Sequence, residues 1–262
     1  MRAWSLVLGV IILLGVSGCG GGSAEEAKPA PATPAAAPPS SGPSSGPSPD
    51  LVRCNQGPTV PFTTTTVKSP GTSADLAVGV AGDGPVGVVI ANTLVGYHCD
   101  WLIWADHLVK KGFRVAVFEY GFVPQTVGVP AMLERGSGEM AAVGARLREL
   151  GAQKIVYAGG SLGGSVALAT AADPTTGAAG VICLSGGLEG QEETVKRLTV
   201  PALYAAAEDD GLAPTLAKAL HKATADGTLA VYPGAQHAGE MFVDERYADR
   251  LQQKIETFLR AL

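Results

Sequence analysis

Short apolar segments alternate with more polar segments along most of the chain. The apolar runs are rich in Val, Ile and Ala and are bounded by Gly or Pro, which is typical of strands buried on both faces of a sheet. The predicted strands are 59–67, 75–81, 85–91, 113–120, 154–158, 179–185, 200–206 and 228–232. The predicted helices are 100–111, 138–150, 166–172, 213–223 and 244–262. This alternation predicts an α/β fold with a mostly parallel sheet of about eight strands and helices on both faces.

A serine lies at the turn between a predicted strand and the helix that follows it. The sequence there is Gly159-Gly160-Ser161-Leu162-Gly163, which matches the Gly-x-Ser-x-Gly pattern of a nucleophile elbow. Residues without a Cβ let the backbone bend sharply and let the helix pack closely on its strand. Ligands of such sheets bind beyond the carboxyl ends of the strands. Ser161 is therefore predicted to be a nucleophile, and the alternative is a chance match in a glycine-rich chain.

A serine hydroxyl needs an adjacent general base, which is itself held by an acid. Asp209 and Asp210 follow the strand 200–206, and His237 follows the strand 228–232. The order Ser, Asp, His is the one associated with this elbow. His237 is predicted to be the base and one aspartate the acid; the other aspartate would be a helix N-cap or a solvated turn carboxylate.

With these motifs, residues 59–262 resemble an α/β-hydrolase of the single-domain bacterial esterase or dienelactone-hydrolase-like kind. The markers are the elbow, Pro201-Ala202-Leu203 leading to the two aspartates, and Pro233-Gly234-Ala235-Gln236-His237. The resemblance implies that Asp210 is the acid, with Asp209 as the fallback, because of the spacing from Pro201. It also implies an oxyanion hole made by the backbone N–H groups of Leu162 and Leu94.

Two segments depart from that family. Members usually carry His-Gly after the third strand, where this chain has Asn92-Thr93. The Asp-x-x-Gly-x-Gly-x-Ser pattern after the fourth strand is replaced by Glu119-Tyr120-Gly121-Phe122-Val123-Pro124. Because the oxyanion hole uses backbone groups, the first change need not abolish it, although an altered loop could shift the donor by a residue. The second segment is expected either to shape the pocket or to be a purely structural loop.

The first fifty residues differ in character from the rest. Met1-Arg2 and the apolar run 3–16 are typical of a secretory signal, and the run is shorter than the roughly 20 residues that span a bilayer. Its end, Val16-Ser17-Gly18-Cys19, resembles the lipobox of bacterial lipoproteins; the alternative is a plain signal peptide before a chance Cys. The resemblance implies that Cys19 is lipidated. The predicted domains are a signal 1–18, Cys19 with a disordered Pro/Gly/Ser/Ala tether to residue 50, and a hydrolase domain 51–262, tethered outside the cytoplasmic membrane in a bacterial envelope.

Net charge and cysteine content indicate which binding partners and which disulfide to expect. The chain of 262 residues has a net charge of −5 and no long Lys or Arg run, which argues against nucleic-acid binding. Thiols of exported proteins tend to pair. With Cys19 lipidated, Cys183 lies within a predicted buried strand and is expected to be free. Cys54 and Cys99 are then the candidate disulfide, and the alternative leaves both as thiols.

The remaining residues with reactive or metal-ligating side chains are expected to have structural roles. His98-Cys99-Asp100 contains three metal-ligating residue types, but adjacent residues rarely point at one ion and no second cluster has ligand spacing. No metal or other cofactor is predicted. His107 and His221 lie on predicted helices and are expected to be surface or packing residues. Ser185, at a strand end, is expected to be a turn residue rather than a second nucleophile.

Together these features predict a membrane-tethered serine hydrolase that cleaves a carboxylic ester or related small acyl substrate through an acyl-enzyme. The short connection between residues 185 and 200 has no room for a large lid domain, so an open pocket and a small or soluble substrate are expected. One alternative is a non-catalytic envelope binding or scaffold domain on a hydrolase fold. Another is transfer of the acyl group to an acceptor other than water. The substrate and the oligomeric state are left open.

Overall fold

One eight-stranded sheet organises the protein. The computed structural model describes Cys54 and residues 59–262, so the predicted signal, Cys19 and the tether lie outside the described residues. The strands are β1 (Thr63–Lys68), β2 (Asp75–Ala81), β3 (Val86–Ala91), β4 (Arg114–Phe118), β5 (Lys154–Gly160), β6 (Ala178–Leu184), β7 (Ala202–Ala207) and β8 (Gly227–Tyr232). The helices are α1 (Leu102–Lys110), α2 (Val129–Glu149), α3 (Leu162–Ala171), α4 (Glu192–Val195), α5 (Ala213–Ala223) and α6 (Ala248–Ala261).

The strand order is β1-β2-β4-β3-β5-β6-β7-β8. The β1–β2 and β2–β4 pairs are antiparallel, and the pairs from β4 through β8 are parallel. The predicted fold, a mostly parallel sheet with helices on both faces, is confirmed. Between β6 and β7 only the four-residue helix α4 occurs, so the described part of the chain contains no large lid. Within that part, no helix combines the length and the apolar character that crossing a membrane requires.

Two hydrophobic clusters cover the two faces of the sheet. On one face, α2, α3 and α5 contribute buried residues such as Met140, Leu168 and Leu220. On the other face, α1 and α6 contribute residues such as Leu108 and Leu251. Each fully buried Leu or Met stabilises the fold by about 1.5–3 kcal/mol through burial. Burial on both faces explains why the central strands are apolar throughout and do not alternate.

Helix α2 is longer than the sequence predicted. The expected start at residue 138 is wrong, because the helix begins at Val129 with a proline in its first turn, a position where the missing N–H needs no partner. Two of the three glycines within it, Gly136 and Gly144, are packing positions. A Cβ on Gly136 would lie 3.0 Å from Val166 Cγ2, and one on Gly144 would lie 2.6 Å from Tyr157 Oη. The small residues therefore let α2 approach α3 and β5 closely.

Candidate active site

Ser161 occupies a strained turn between β5 and α3. Its backbone angles are φ 54° and ψ −121°, a conformation that non-glycine residues rarely adopt and that costs on the order of 1–3 kcal/mol. The Ser161 N–H donates to Leu184 O of the neighbouring strand at 2.9 Å. A Cβ on Gly163 would lie 2.3 Å from Ala91 O, so only glycine fits there. The turn therefore presents Ser161 at the carboxyl ends of β3, β5 and β6.

His237 and Asp210 form a hydrogen-bonded pair at the same edge. His237 Nδ1 lies 2.9 Å from both Asp210 Oδ1 and Asp210 Oδ2. The Asp210 side chain is 12% exposed and the His237 side chain 43% exposed. A largely buried acceptor on Nδ1 fixes the ring orientation and leaves Nε2 free as a base. Asp209 is exposed, and its N–H donates to Gly234 O at 2.8 Å.

The elbow and the histidine loop pack directly on each other. A Cβ on Gly160, which precedes Ser161, would lie 2.5 Å from the Cβ of Ala238, which follows His237. Among the hydrogen bonds of the described residues, none joins Ser161 Oγ to His237. Such catalytic hydrogen bonds are often long before substrate binds. The structure thus brings together the three residues that the sequence singled out as nucleophile, base and acid.

Ser185 holds the histidine loop, a role that the sequence did not reveal. Its Oγ accepts a hydrogen bond from Ala238 N–H at 3.1 Å, and both residues are buried. Ser161, Ser185 and Ala238 are the three non-glycine residues with positive φ in the described part of the chain. Strained backbone persists where the surrounding structure enforces it, typically at functional sites. The sequence indicates only that Ser185 lies at the end of a strand.

The loop after β3 contains the predicted oxyanion donor Leu94. A Cβ on Gly163 would lie 2.6 Å from Asn92 O, so this loop lies against the elbow. Leu162 is the first residue of α3, and the N–H groups of a first helical turn lack intrahelical partners. The Leu94 carbonyl accepts a hydrogen bond from Gln125 Nε2 at 2.6 Å. The two predicted donors therefore belong to adjacent backbone segments.

The two segments that depart from the family pattern contact each other. Asn92 Nδ2 donates to Phe118 O at 2.8 Å and to Glu119 Oε2 at 3.0 Å. The Tyr120 hydroxyl donates to Asn92 O at 3.2 Å. Burial, together with the Glu139 and Glu119 carboxylates, raises the pKa of Tyr120, so this hydroxyl keeps its proton. Of the two expectations for the segment from Glu119, the structure shows the supporting role.

A cavity of about 470 Å³ adjoins His237. The β3–α1 connection and α1 form one wall with Thr93, Val95 and Ile103, and the His237 loop forms the other. The carboxylates of Asp100 and Glu240 also line it. A larger cavity of about 570 Å³ lies near the amino ends of β7 and β8 and has no Ser, Cys or His in its lining. The smaller cavity is thus the one beside the candidate chemistry.

Cys54 and Cys99 are joined as a disulfide in the structure, with their Cα atoms 5.5 Å apart. Cys99 also lines the cavity beside His237. Cys183 is a buried free thiol, and burial raises its pKa to about 12, which keeps it protonated and unreactive. His107 Nε2 lies 2.7 Å from Glu256 Oε1, and His221 Nε2 lies 3.2 Å from Gly227 O. Both histidines are away from the site.

Comparisons with known proteins agree with this architecture. The model of the Dienelactone hydrolase family matches residues 131–256. A thermophilic esterase from Thermogutta terrifontis is 17% identical with a TM-score of 0.62, covering 76% of this chain and 98% of that chain. A dienelactone hydrolase from Anabaena variabilis is 13% identical with a TM-score of 0.61, covering 77% and 98%. A proline iminopeptidase from Mycobacterium smegmatis is 11% identical with a TM-score of 0.63, covering 76% and 98%. No curated protein matches the sequence.

The sheet topology and the similar structures show an α/β-hydrolase fold, and within it residues 131–256 resemble the Dienelactone hydrolase family. The similar structures include both an esterase and an iminopeptidase, so the fold by itself does not select the bond that is cleaved.

Proposed function

We propose that the protein is a serine hydrolase that cleaves a carboxylic ester or a related small acyl compound through an acyl-enzyme. The observation that carries the proposal is the Asp210–His237 pair, with 2.9 Å hydrogen-bond distances, packed beside the strained turn of Ser161. In this arrangement the strained serine is the nucleophile, the imidazole is the base, and the carboxylate that orients the imidazole is the acid.

In the proposed reaction, Ser161 Oγ attacks the substrate carbonyl carbon while His237 Nε2 takes the hydroxyl proton. Asp210 accepts the Nδ1–H bond and stabilises the imidazolium. The N–H groups of Leu162 and Leu94 stabilise the tetrahedral oxyanion. Its collapse breaks the bond to the leaving alcohol, which receives the proton from His237. Water then attacks the acyl-enzyme with His237 again as base, which releases the acid and restores Ser161.

The cavity supports a small, uncharged substrate. Its volume of about 470 Å³ is at the low end of the range for small-molecule sites. Val95, Ile103 and Val243 offer apolar surface for an acyl or alkyl group. Asp100 and Glu240 line the same cavity and disfavour an anionic substrate, because like charges repel. A neutral ester with a short apolar chain fits these walls best.

Substitution at Ser161 tests the proposal. We expect the wild-type chain to hydrolyse short p-nitrophenyl esters and to react covalently with a fluorophosphonate probe. The Ser161→Ala variant should lose both, with a loss of kcat of at least about 10³-fold. Ser165→Ala is the matched control, since Ser165 is also buried near the elbow. Unchanged hydrolysis in Ser161→Ala would remove Ser161 from the mechanism.

The two alternatives give different results in the same assays. A wild-type chain inert to both esters and the probe would favour a non-catalytic binding domain. A chain that reacts with the probe but releases its acyl group only when an alcohol or amine acceptor is added would favour acyl transfer. Burst kinetics without turnover in water would show the latter directly.

We also propose that Cys19 carries lipid and tethers the hydrolase to a membrane of the bacterial envelope. The sequence Val16-Ser17-Gly18-Cys19 after a signal-like segment supports this. Labelling of cells with an alkyne fatty acid should mark the wild-type chain and not the Cys19→Ser variant. Equal labelling of both would exclude Cys19 as the lipidation site.

A further inference from the structure

A buried histidine faces the disulfide. His98 begins a 3₁₀ turn and is 7% exposed. Its Nε2 lies 3.4 Å from Cys54 Sγ and 3.7 Å from Cys99 Sγ. These three potential ligand atoms lie within 4.8 Å of one another. The fold thus places one imidazole nitrogen against two sulfurs, one from the adjacent Cys99 and one from the distant Cys54.

Glu119 fixes which nitrogen of His98 carries the proton. Glu119 Oε1 lies 2.6 Å from His98 Nδ1 and accepts the His98 backbone N–H at 2.7 Å. A carboxylate on Nδ1 keeps the proton there and directs the lone pair of Nε2 toward the sulfurs. Metal-ligating histidines are oriented in this way, by a carboxylate on the second ring nitrogen. A disulfide has no S–H to donate to Nε2, so among the described residues no donor reaches this buried lone pair in the oxidised form.

The distances fit a tetrahedral zinc site. Zn–S bonds of about 2.3 Å and Zn–N bonds of about 2.0–2.1 Å put sulfur and nitrogen ligands roughly 3.6 Å apart. The observed sulfur–nitrogen distances of 3.4 and 3.7 Å lie on either side of this value. Two sulfur ligands would lie about 3.8 Å apart, so the principal change needed is to open the disulfide. Two thiolates and an imidazole favour zinc over the harder divalent cations.

We propose that Cys54, His98 and Cys99 form a zinc site that opens when the disulfide is reduced. A dithiol reductant supplies two electrons and two protons, becomes a disulfide itself, and leaves two protein thiols. Zn²⁺ then displaces both thiol protons and binds the two thiolates and His98 Nε2, with water as the fourth ligand. Asp100, which the sequence grouped with His98 and Cys99, instead accepts the Tyr97 backbone N–H and is not a ligand.

Metal titration of the full chain tests this proposal. The chain is reduced with a phosphine in the absence of oxygen and titrated with Zn²⁺ against a chromophoric chelator. We expect one Zn²⁺ per reduced chain and none in the oxidised chain, and Co²⁺ should give sulfur-to-metal charge-transfer absorption. Glu119→Gln should weaken Zn²⁺ binding about 10–100-fold, the usual effect of removing the partner of a ligating histidine. Cys183→Ser, which removes only the buried thiol, should bind as the wild type does.

The following outcomes would overturn the zinc-site proposal. It fails if the reduced chain binds no more Zn²⁺ than a Cys54→Ser/Cys99→Ser double variant, or if His98→Gln retains wild-type affinity. Circular dichroism is measured in parallel, because reduction itself can unfold a domain. If the reduced chain unfolds, Zn²⁺ should restore the native spectrum, since metal binding contributes to folding. A chain that stays unfolded in Zn²⁺ has no such site.

Discussion

Replacing Ser185 with alanine should lower stability and activity without altering Ser161, the proposed nucleophile. In the native protein, Ser185 Oγ accepts the Ala238 N–H at 3.1 Å, and Ala238 is 1% exposed. The variant leaves this N–H buried without an acceptor, which costs about 1–3 kcal/mol of stability. At about 2–4 °C per kcal/mol for a domain of this size, the Tm should fall by roughly 2–12 °C.

The same substitution should lower turnover. Ala238 has a φ of 51° and follows His237 directly, so loss of its hydrogen bond allows the backbone to relax and the imidazole to shift. A misplacement of about 1 Å can reduce a rate by about 10²-fold. We therefore expect kcat to fall by about 10- to 100-fold with KM nearly unchanged, since Ser185 does not line the cavity.

Ser165→Ala is the matched control. Ser165 Oγ accepts Gly187 N–H, also at 3.1 Å, and Ser165 is buried like Ser185. Thermal unfolding and p-nitrophenyl ester kinetics of both variants should show similar losses of Tm and a loss of kcat only in Ser185→Ala. The reasoning is refuted if Ser185→Ala is destabilised yet keeps its kcat, or if Ser165→Ala loses as much.

Four further substitutions have defined outcomes. Gly160→Ala would place a Cβ 2.5 Å from Ala238 Cβ and should cost about 1–3 kcal/mol with loss of ester hydrolysis; a wild-type melting temperature would contradict the packing. Asp210→Asn should lower kcat by on the order of 10⁴-fold and Asp209→Asn should leave it unchanged, whereas the reverse would make Asp209 the acid. Burial raises the pKa of Glu139 above its unfolded value of 4.5, so the folded state binds the proton more tightly. The free energy of unfolding, measured in urea, should then fall as the pH rises from 4.5 through the raised pKa. The fall should be about 1.4 kcal/mol for each pH unit by which folding raises this pKa. The Glu139→Gln variant should lack this fall, and an unchanged pH profile would contradict it.

The sequence predicted those parts of the site that depend on local order along the chain. Ser161, Asp210 and His237 each follow a strand of the parallel part of the sheet, and the carboxyl ends of parallel strands meet at one edge. Their shared location could be inferred before any distance was known. The alternation of apolar runs likewise predicted the sheet, because burial on both faces leaves an unbroken apolar pattern.

Contacts between loops could not be predicted in this way. The Asn92–Glu119 and Ser185–Ala238 hydrogen bonds join segments from different strands, and their formation depends on side-chain direction rather than on spacing. From the sequence, His98 was grouped with Cys99 and Asp100 and a metal was not predicted, whereas the fold places Cys54 beside His98. The start of α2 was missed because a glycine inside a helix resembles a helix breaker in the sequence. Its packing role is evident only when the residue in contact with it is known.

The disulfide also determines how a mechanical load enters the protein. Cys54 and Cys99 are separated by 45 residues, and β1, β2 and β3 lie between them. A force applied to the chain before Cys54 and to the carboxyl terminus therefore bypasses these three strands and acts at Cys99, beside the cavity wall. After reduction the bypassed segment becomes extensible and should add about 150 Å of contour length in single-molecule pulling. Strands β1, β2 and β3 are thus protected from tension only while the two sulfurs are bonded.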